Sequence, residues 1–150
     1  MLSRVVVMAG AILLLALSAL FFALNSSYQD SIQGRVYYFL GDYAKANALS
    51  ASAYAKDSYN KMAFTVLTQS TIALKYEAYI TQGNQYLAQI DAISTKTEVS
   101  DADRSRIKLM CEIMIDGYTA LSPTPLTDEG LQERAAVVYK KFKQLHKELF

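Results

Sequence analysis

The chain of 150 residues has no tryptophan, two prolines, six glycines, one cysteine and one histidine. So few glycines and prolines, among abundant Ala, Leu and Lys, disfavour a turn-rich sheet protein and favour helix. Strand-like runs of alternating Val, Ile and Thr are missing, which points the same way. The single cysteine, Cys111, excludes an intramolecular disulfide framework. It does not by itself exclude an oxidising compartment. The single histidine, His146, has no second histidine to share a metal. Neither a GxGxxG nor a phosphate loop is present, and calcium-loop spacing and the G-x-S-x-G elbow are absent as well.

A charge surplus is also lacking. Lys and Arg number 15 against 14 Asp and Glu, and setting Arg4 aside leaves the rest of the chain formally neutral. A nucleic-acid binder would normally carry a basic face. The densest basic run here is Lys140, Lys141 and Lys143, so no nucleic acid is expected as a partner.

What is present begins with VVVMAGAILLLALSALFFAL, Val5 to Leu24, which contains no charge, Pro, Asn or Gln. As a helix these 20 residues span about 30 Å, the hydrocarbon thickness of a bilayer. Cleaved secretory signals have a shorter apolar core of about 7–15 residues and a small-x-small cleavage site. Cleavage after Ala19 or after Ala23 would place Leu17 or Phe21 where a small residue is preferred. The segment therefore reads as an uncleaved signal-anchor in contact with membrane lipid through residues 5–24. Arg4 precedes it, and the positive-inside rule keeps residues 1–4 in the cytoplasm. In a bacterium residues 25–150 would then face the periplasm from a single-pass inner-membrane protein. No GxxxG motif marks the span for self-association.

Beyond the anchor, five helical segments are expected, giving an all-α fold. The first, about Ser27 to Leu40, carries Ile32, Val36, Phe39 and Leu40 at helical spacing and has no breaker separating it from the span. Gly41-Asp42 ends it. A short Ala-rich helix follows from Tyr43 to Lys56, and Asp57-Ser58 offers a cap for a third beginning near Tyr59. That third segment is apolar around much of its circumference. Gly83-Asn84 either ends it, with a further helix from Gln85 to Ser94, or bends one helix that runs through; a break or kink is preferred. Ser100 followed by Asp103 starts the next helix, whose stripe is Ile107, Met110, Cys111, Met114, Tyr118 and Leu121. The SPTP run at 122–125 stops it. Thr127 reads as the cap of the last helix, with Leu126 and Leu131 placed as a hydrophobic staple. Leu131, Ala135, Val138, Phe142, Leu145 and Leu149 form its apolar stripe. Acids open this helix and lysines close it, as its dipole favours.

Leu40, Gly41-Asp42-Tyr43, Ala46, Ala53 and Asp57-Ser58-Tyr59-Asn60 together make residues 27–60 resemble a tetratricopeptide repeat, a 34-residue helical hairpin. In that family a G-D-Y-like turn separates paired helices and small residues, here Ala46 and Ala53, let them pack closely. The repeat's usual proline is replaced by Ser58. A second unit beginning near Lys61 would have Phe64 and Leu67 in place but Lys75 at the turn glycine. The resemblance implies one repeat-like hairpin over 27–60 continuing into a small helical bundle over 61–150. It also implies a role in binding peptide segments or scaffolding assemblies.

Side chains that could carry chemistry are isolated. His146 lies among Lys143, Lys147 and Glu148 and reads as a surface residue; Cys111 sits in an apolar stripe and reads as structural. The acid pairs Asp101/Asp103, Glu112/Asp116 and Asp128/Glu129 read as solvated helix faces. No catalytic residue, metal ligand or cofactor site is assigned. The excess is in tyrosine, eleven in all, nine of them between Tyr28 and Tyr86. Tyrosine combines an apolar ring with a polar tip, so the group reads either as packing between helices, which is also a normal feature of the repeat family, or as a binding surface. Tyr37, Tyr38 and Tyr76 are the expected exposed contact residues.

These readings converge on a non-enzymatic, membrane-anchored periplasmic scaffold that binds another envelope protein through a Tyr-rich helical surface. It would serve as an accessory part of a larger envelope machine such as a secretion system or flagellar motor. A cleaved, soluble periplasmic module for a small ligand is the alternative; an unrecognised enzyme built on His146, Cys111 or the acid pairs is a second.

Overall fold

The computed structural model describes residues 2–150. Six helices carry the fold, with no strand among the described residues: α1 (Leu2–Leu24), α2 (Ser26–Phe39), α3 (Tyr43–Lys56), α4 (Lys61–Ser94), α5 (Asp101–Thr119) and α6 (Glu129–Leu149). The chain divides into two compact units, Met1–Ser70 and Thr71–Phe150.

In the first unit, the stretch Arg4–Leu24 is long and apolar enough to cross a membrane, and none of it is buried against protein. Leaving so many large apolar side chains in water would be costly. α1 does not run on into α2. Asn25 turns to an extended ψ of 103°, and its side-chain oxygen accepts from the backbone N–H of Ser27 and Tyr28 at 3.1 and 3.3 Å. Asparagine is a strong N-cap because it satisfies these otherwise orphaned donors. It supplies the interruption that neither glycine nor proline provides in this segment.

α2 and α3 form a tight hairpin. Gly41 takes φ +78°, a left-handed conformation that costs glycine little. The N–H of Gly41 donates to Tyr38 O and that of Asp42 to Tyr37 O, at 3.1 and 2.9 Å. This pair of bonds is the Schellman closure of a helix C-terminus. Asp42 then caps α3 by accepting from Lys45 N at 3.1 Å. The buried face of α2 consists of Ser27, Ser31 and Gly34, and that of α3 of Tyr43, Ala46, Ser50 and Ala53. Ile32, Val36, Phe39 and Leu40, whose spacing marks α2 as a helix, lie on its outside. Asn60 locks the hairpin to the start of α4. Its Nδ2 donates to Ser27 Oγ (3.0 Å) and Ser31 Oγ (3.2 Å), and its Oδ1 accepts from Ala63 N (3.1 Å). Asn60 is therefore the cap of α4. Asp57 instead ends α3 and holds a local turn by accepting from Tyr59 N, so the expected start near Tyr59 moves to Lys61.

The second unit comprises the remainder of α4 with α5 and α6, around a core that includes Tyr79, Ile90, Met110, Met114, Leu131 and Phe142. Of the two readings at Gly83 the through-running helix holds, and α4 is one helix of 34 residues with no break there. Gly83 is there for closeness. A Cβ on it would lie 2.4 Å from Val138 Cγ1 and 3.0 Å from Met114 Cε. Ser100 caps α5 as expected, accepting from Asp103 N at 3.2 Å. The cap of α6 is Asp128, which accepts from Leu131 N at 2.8 Å, in place of Thr127. Thr127 is buried instead, its Oγ1 accepting from Thr124 N at 2.9 Å. Leu126 is exposed, and with Asp128 as the cap it is Thr127, not Leu126, that precedes the cap where a hydrophobic staple would start. Along α6 the stripe is buried from Leu131 through Phe142, after which Leu145 is half-buried and Leu149 exposed.

Candidate interaction surface

Among the residues weighed for chemistry, Cys111, His146, Glu112, Asp103 and Asp128 have resolved surroundings. Cys111 is fully buried and free, and burial, followed by the neighbouring Glu112 charge, pushes its thiol above the ordinary value. That favours the protonated, unreactive form. His146 is half-buried, with Nε2 3.9 Å from Glu112 Oε1 and its ring against Phe150. Glu112 also faces Lys108 at 3.9 Å. Asp103 accepts from Lys96 Nζ at 2.8 and 2.9 Å and from Ser100 Oγ, which hold its carboxyl below the usual range. Asp128 is engaged as a cap. Among the described residues no three His, Cys, Asp or Glu side chains converge as a metal site.

The tyrosines divide between core and surface. Tyr76 is 3% exposed, which corrects its expected role as an exposed contact. Its position on α4 faces the core beside Ala73 and Tyr79, and tyrosine's apolar ring accepts burial as readily as exposure. Tyr79 is also buried; its hydroxyl donates to Met114 O at 2.9 Å, and desolvation raises its pKa to about 12. Tyr118 and Tyr139 stack at 4.3 Å. Tyr37 and Tyr38 are half-buried at the end of α2. Lys45 Nζ lies 5.0 Å from the Tyr37 ring centre, and Tyr38 packs edge-on against Tyr43 and Phe39.

The exposed aromatic and apolar groups of the first unit lie elsewhere. Small residues make up most of the α2–α3 contact, and Ile32, Val36, Phe39 and Leu40 of α2 remain outside. One group is Tyr59, 91% exposed in the α3–α4 turn, with Phe64 exposed and its ring 5.8 Å from that of Tyr54. The other is the α2 stripe, in which Phe39 and Leu40 are each 73% exposed. The small-residue periodicities at 27, 31 and 34 and at 46, 50 and 53 were the available signal for this inside-out arrangement. In the second unit an open groove of about 710 Å³ is lined by Leu87, Ile90, Ile93, Val99, Ile107 and Leu145, among others.

Comparison with protein-family models, with curated proteins and with solved structures finds no match for this chain.

Proposed function

We propose that this protein is a non-enzymatic, membrane-anchored interaction module. α1 spans the bacterial inner membrane, Arg4 stays on the cytoplasmic side, and the remaining helices stand in the periplasm. There they bind another envelope protein as an accessory of a larger assembly. The reading of residues 27–60 as a tetratricopeptide-like hairpin is supported by the left-handed turn at Gly41 and by the burial of Ala46 and Ala53.

The observation that carries the proposal is the small-residue hairpin interface, which leaves aromatic side chains outside. Tyr54, Tyr59 and Phe64 form the protein-binding patch; aromatic anchors of this kind dominate interface energetics. The patch adjoins Asn60, which hydrogen-bonds Ser27, two residues beyond the Asn25 joint. The partner is therefore an envelope protein that offers an apolar segment close to the bilayer.

The test is a photoreactive amino acid at Tyr59 in the full chain, activated in native membranes. A discrete protein adduct is expected, lost in Phe64→Ala and absent when the probe replaces exposed Ala48 on the outer side of α3. Equal labelling from both positions, or no protein adduct from Tyr59, would refute the assignment.

A further inference from the structure

We infer that the apolar stripe of α2 lies on lipid, making α2 an interfacial helix on the surface of the bilayer that α1 enters. This rests on the reading of α1 as a membrane span. Three features of the first unit lead to it, the second building on the first.

The first is the bend. The extended ψ of Asn25 interrupts the helix at a single residue. Beyond it the Tyr28 ring returns to within 5.2 Å of Phe22 and 6.1 Å of Phe21, and Gln29 Nε2 donates to Ala23 O. Contacts from residue 28 back to 21 and 22 span seven and six positions. An uninterrupted helix would set those positions about 9–10 Å apart along its axis.

The second is the facing. At about 100° per residue, Tyr28 and Gln29 fall on either side of the centre line of Ile32, Val36, Phe39 and Leu40, within about 65° of it. The centre of the face formed by Ser27, Ser31 and Gly34, which pack on α3, lies about 160° from that line. The stripe therefore shares the side of α2 that touches the end of α1. α3 covers the opposite side.

The third is charge. Arg35 borders the stripe with its guanidinium 5.6 Å from the Phe39 ring centre. Asp30, the acid of α2, lies away from the stripe and is held by Lys56 Nζ at 2.6 Å and Ser52 Oγ at 2.9 Å. An apolar face bordered by a cation and free of carboxylate suits the acyl–phosphate boundary of an anionic leaflet. A second copy or a protein segment would bury the same stripe, but neither would account for its facing the anchor.

The absence of tryptophan supplies the assay. Phe39→Trp places one tryptophan on the stripe; Leu15→Trp places one in α1, and Ala48→Trp one on the far side of α3. Each full-length variant is reconstituted in vesicles of phosphatidylcholine and phosphatidylglycerol, with bromine near the glycerol end or near the tail end of the acyl chains. Tryptophan at 39 is expected to lose emission several-fold more than tryptophan at 48, and more strongly to the shallow bromine. Tryptophan at 15 is expected to respond more to the deep bromine. Quenching at 15 without quenching at 39 overturns the interfacial helix and leaves the anchor standing. No quenching at either position removes both. Emission at 39 that is shielded from aqueous iodide, insensitive to bromolipid and reversed by diluting protein in lipid assigns the stripe to a second copy, and overturns the proposal.

Discussion

At the scale of single residues, the contact between α2 and α3 depends on what Gly34 does not have. A Cβ at this position would stand 2.6 Å from Ser50 Oγ and 3.2 Å from the Ala46 carbonyl oxygen, the latter fixed in backbone. Gly34→Ala should therefore destabilise the chain by about 1–3 kcal/mol despite alanine's better helix propensity, since overpacking moves whole helices. Ser50 presents the opposite case. Its buried Oγ has no hydrogen-bond partner, and an orphaned buried hydroxyl costs about 1–3 kcal/mol. Ser50→Ala is expected to be neutral or stabilising. Urea unfolding followed by circular dichroism in detergent distinguishes the pair, and equal losses from both would show that the interface is not close-packed as described. Tyr79 gives a residue-scale pH dependence. Its folded pKa of about 12 lies above the ordinary phenol value, so the stability it contributes is complete below about 10 and is lost as pH rises towards 12. An absorbance titration should show tyrosine ionising late, coincident with unfolding, and Tyr79→Phe should move alkaline unfolding to higher pH. Ionisation of every tyrosine near 10 with the fold intact would contradict this.

At the scale of elements, α4 shows where local pattern stops being informative. Glycine inside an apolar run reads as a break because it weakens a helix by about 1 kcal/mol. Its actual role depends on Val138, 55 positions further along, which no local window contains. Gly83→Ala should thus cost about 1–3 kcal/mol, where the same change in a merely weak helix would gain stability; a higher thermal midpoint for Gly83→Ala would reinstate the kink reading. The turn at Gly41-Asp42, the start at Ser100 and the stop at residues 122–125 were legible because each depends on neighbours within a few positions. The caps at Asn60 and Asp128 were displaced from Asp57-Ser58 and Thr127 because adjacent Asn, Asp, Ser and Thr residues compete for the same role; Asn60 is also tied to Ser27 and Ser31 across the fold, which no local window contains. Tyr76 was misplaced for a related reason: its period on α4 places it with the core, while its residue type allows either side.

At the scale of the whole molecule, the two units share one continuous helix, and the first of them also carries α1. With α1 in the bilayer, the full chain should stay with membranes through high-salt and urea washes and leave them only in detergent. Release into the wash would favour the cleaved, soluble alternative instead. The joint at Asn25 bears on how such a protein meets its partner. A thirty-residue flexible tether would let a domain roam about 30 Å from its anchor, whereas a single residue adds no more than about 3.5 Å of chain. The module thus has almost no leash. On the proposed reading, encounters with a membrane-held partner would take place by diffusion within the plane of the bilayer, so occupancy would follow the areal density of the two proteins and not the volume of the compartment around them.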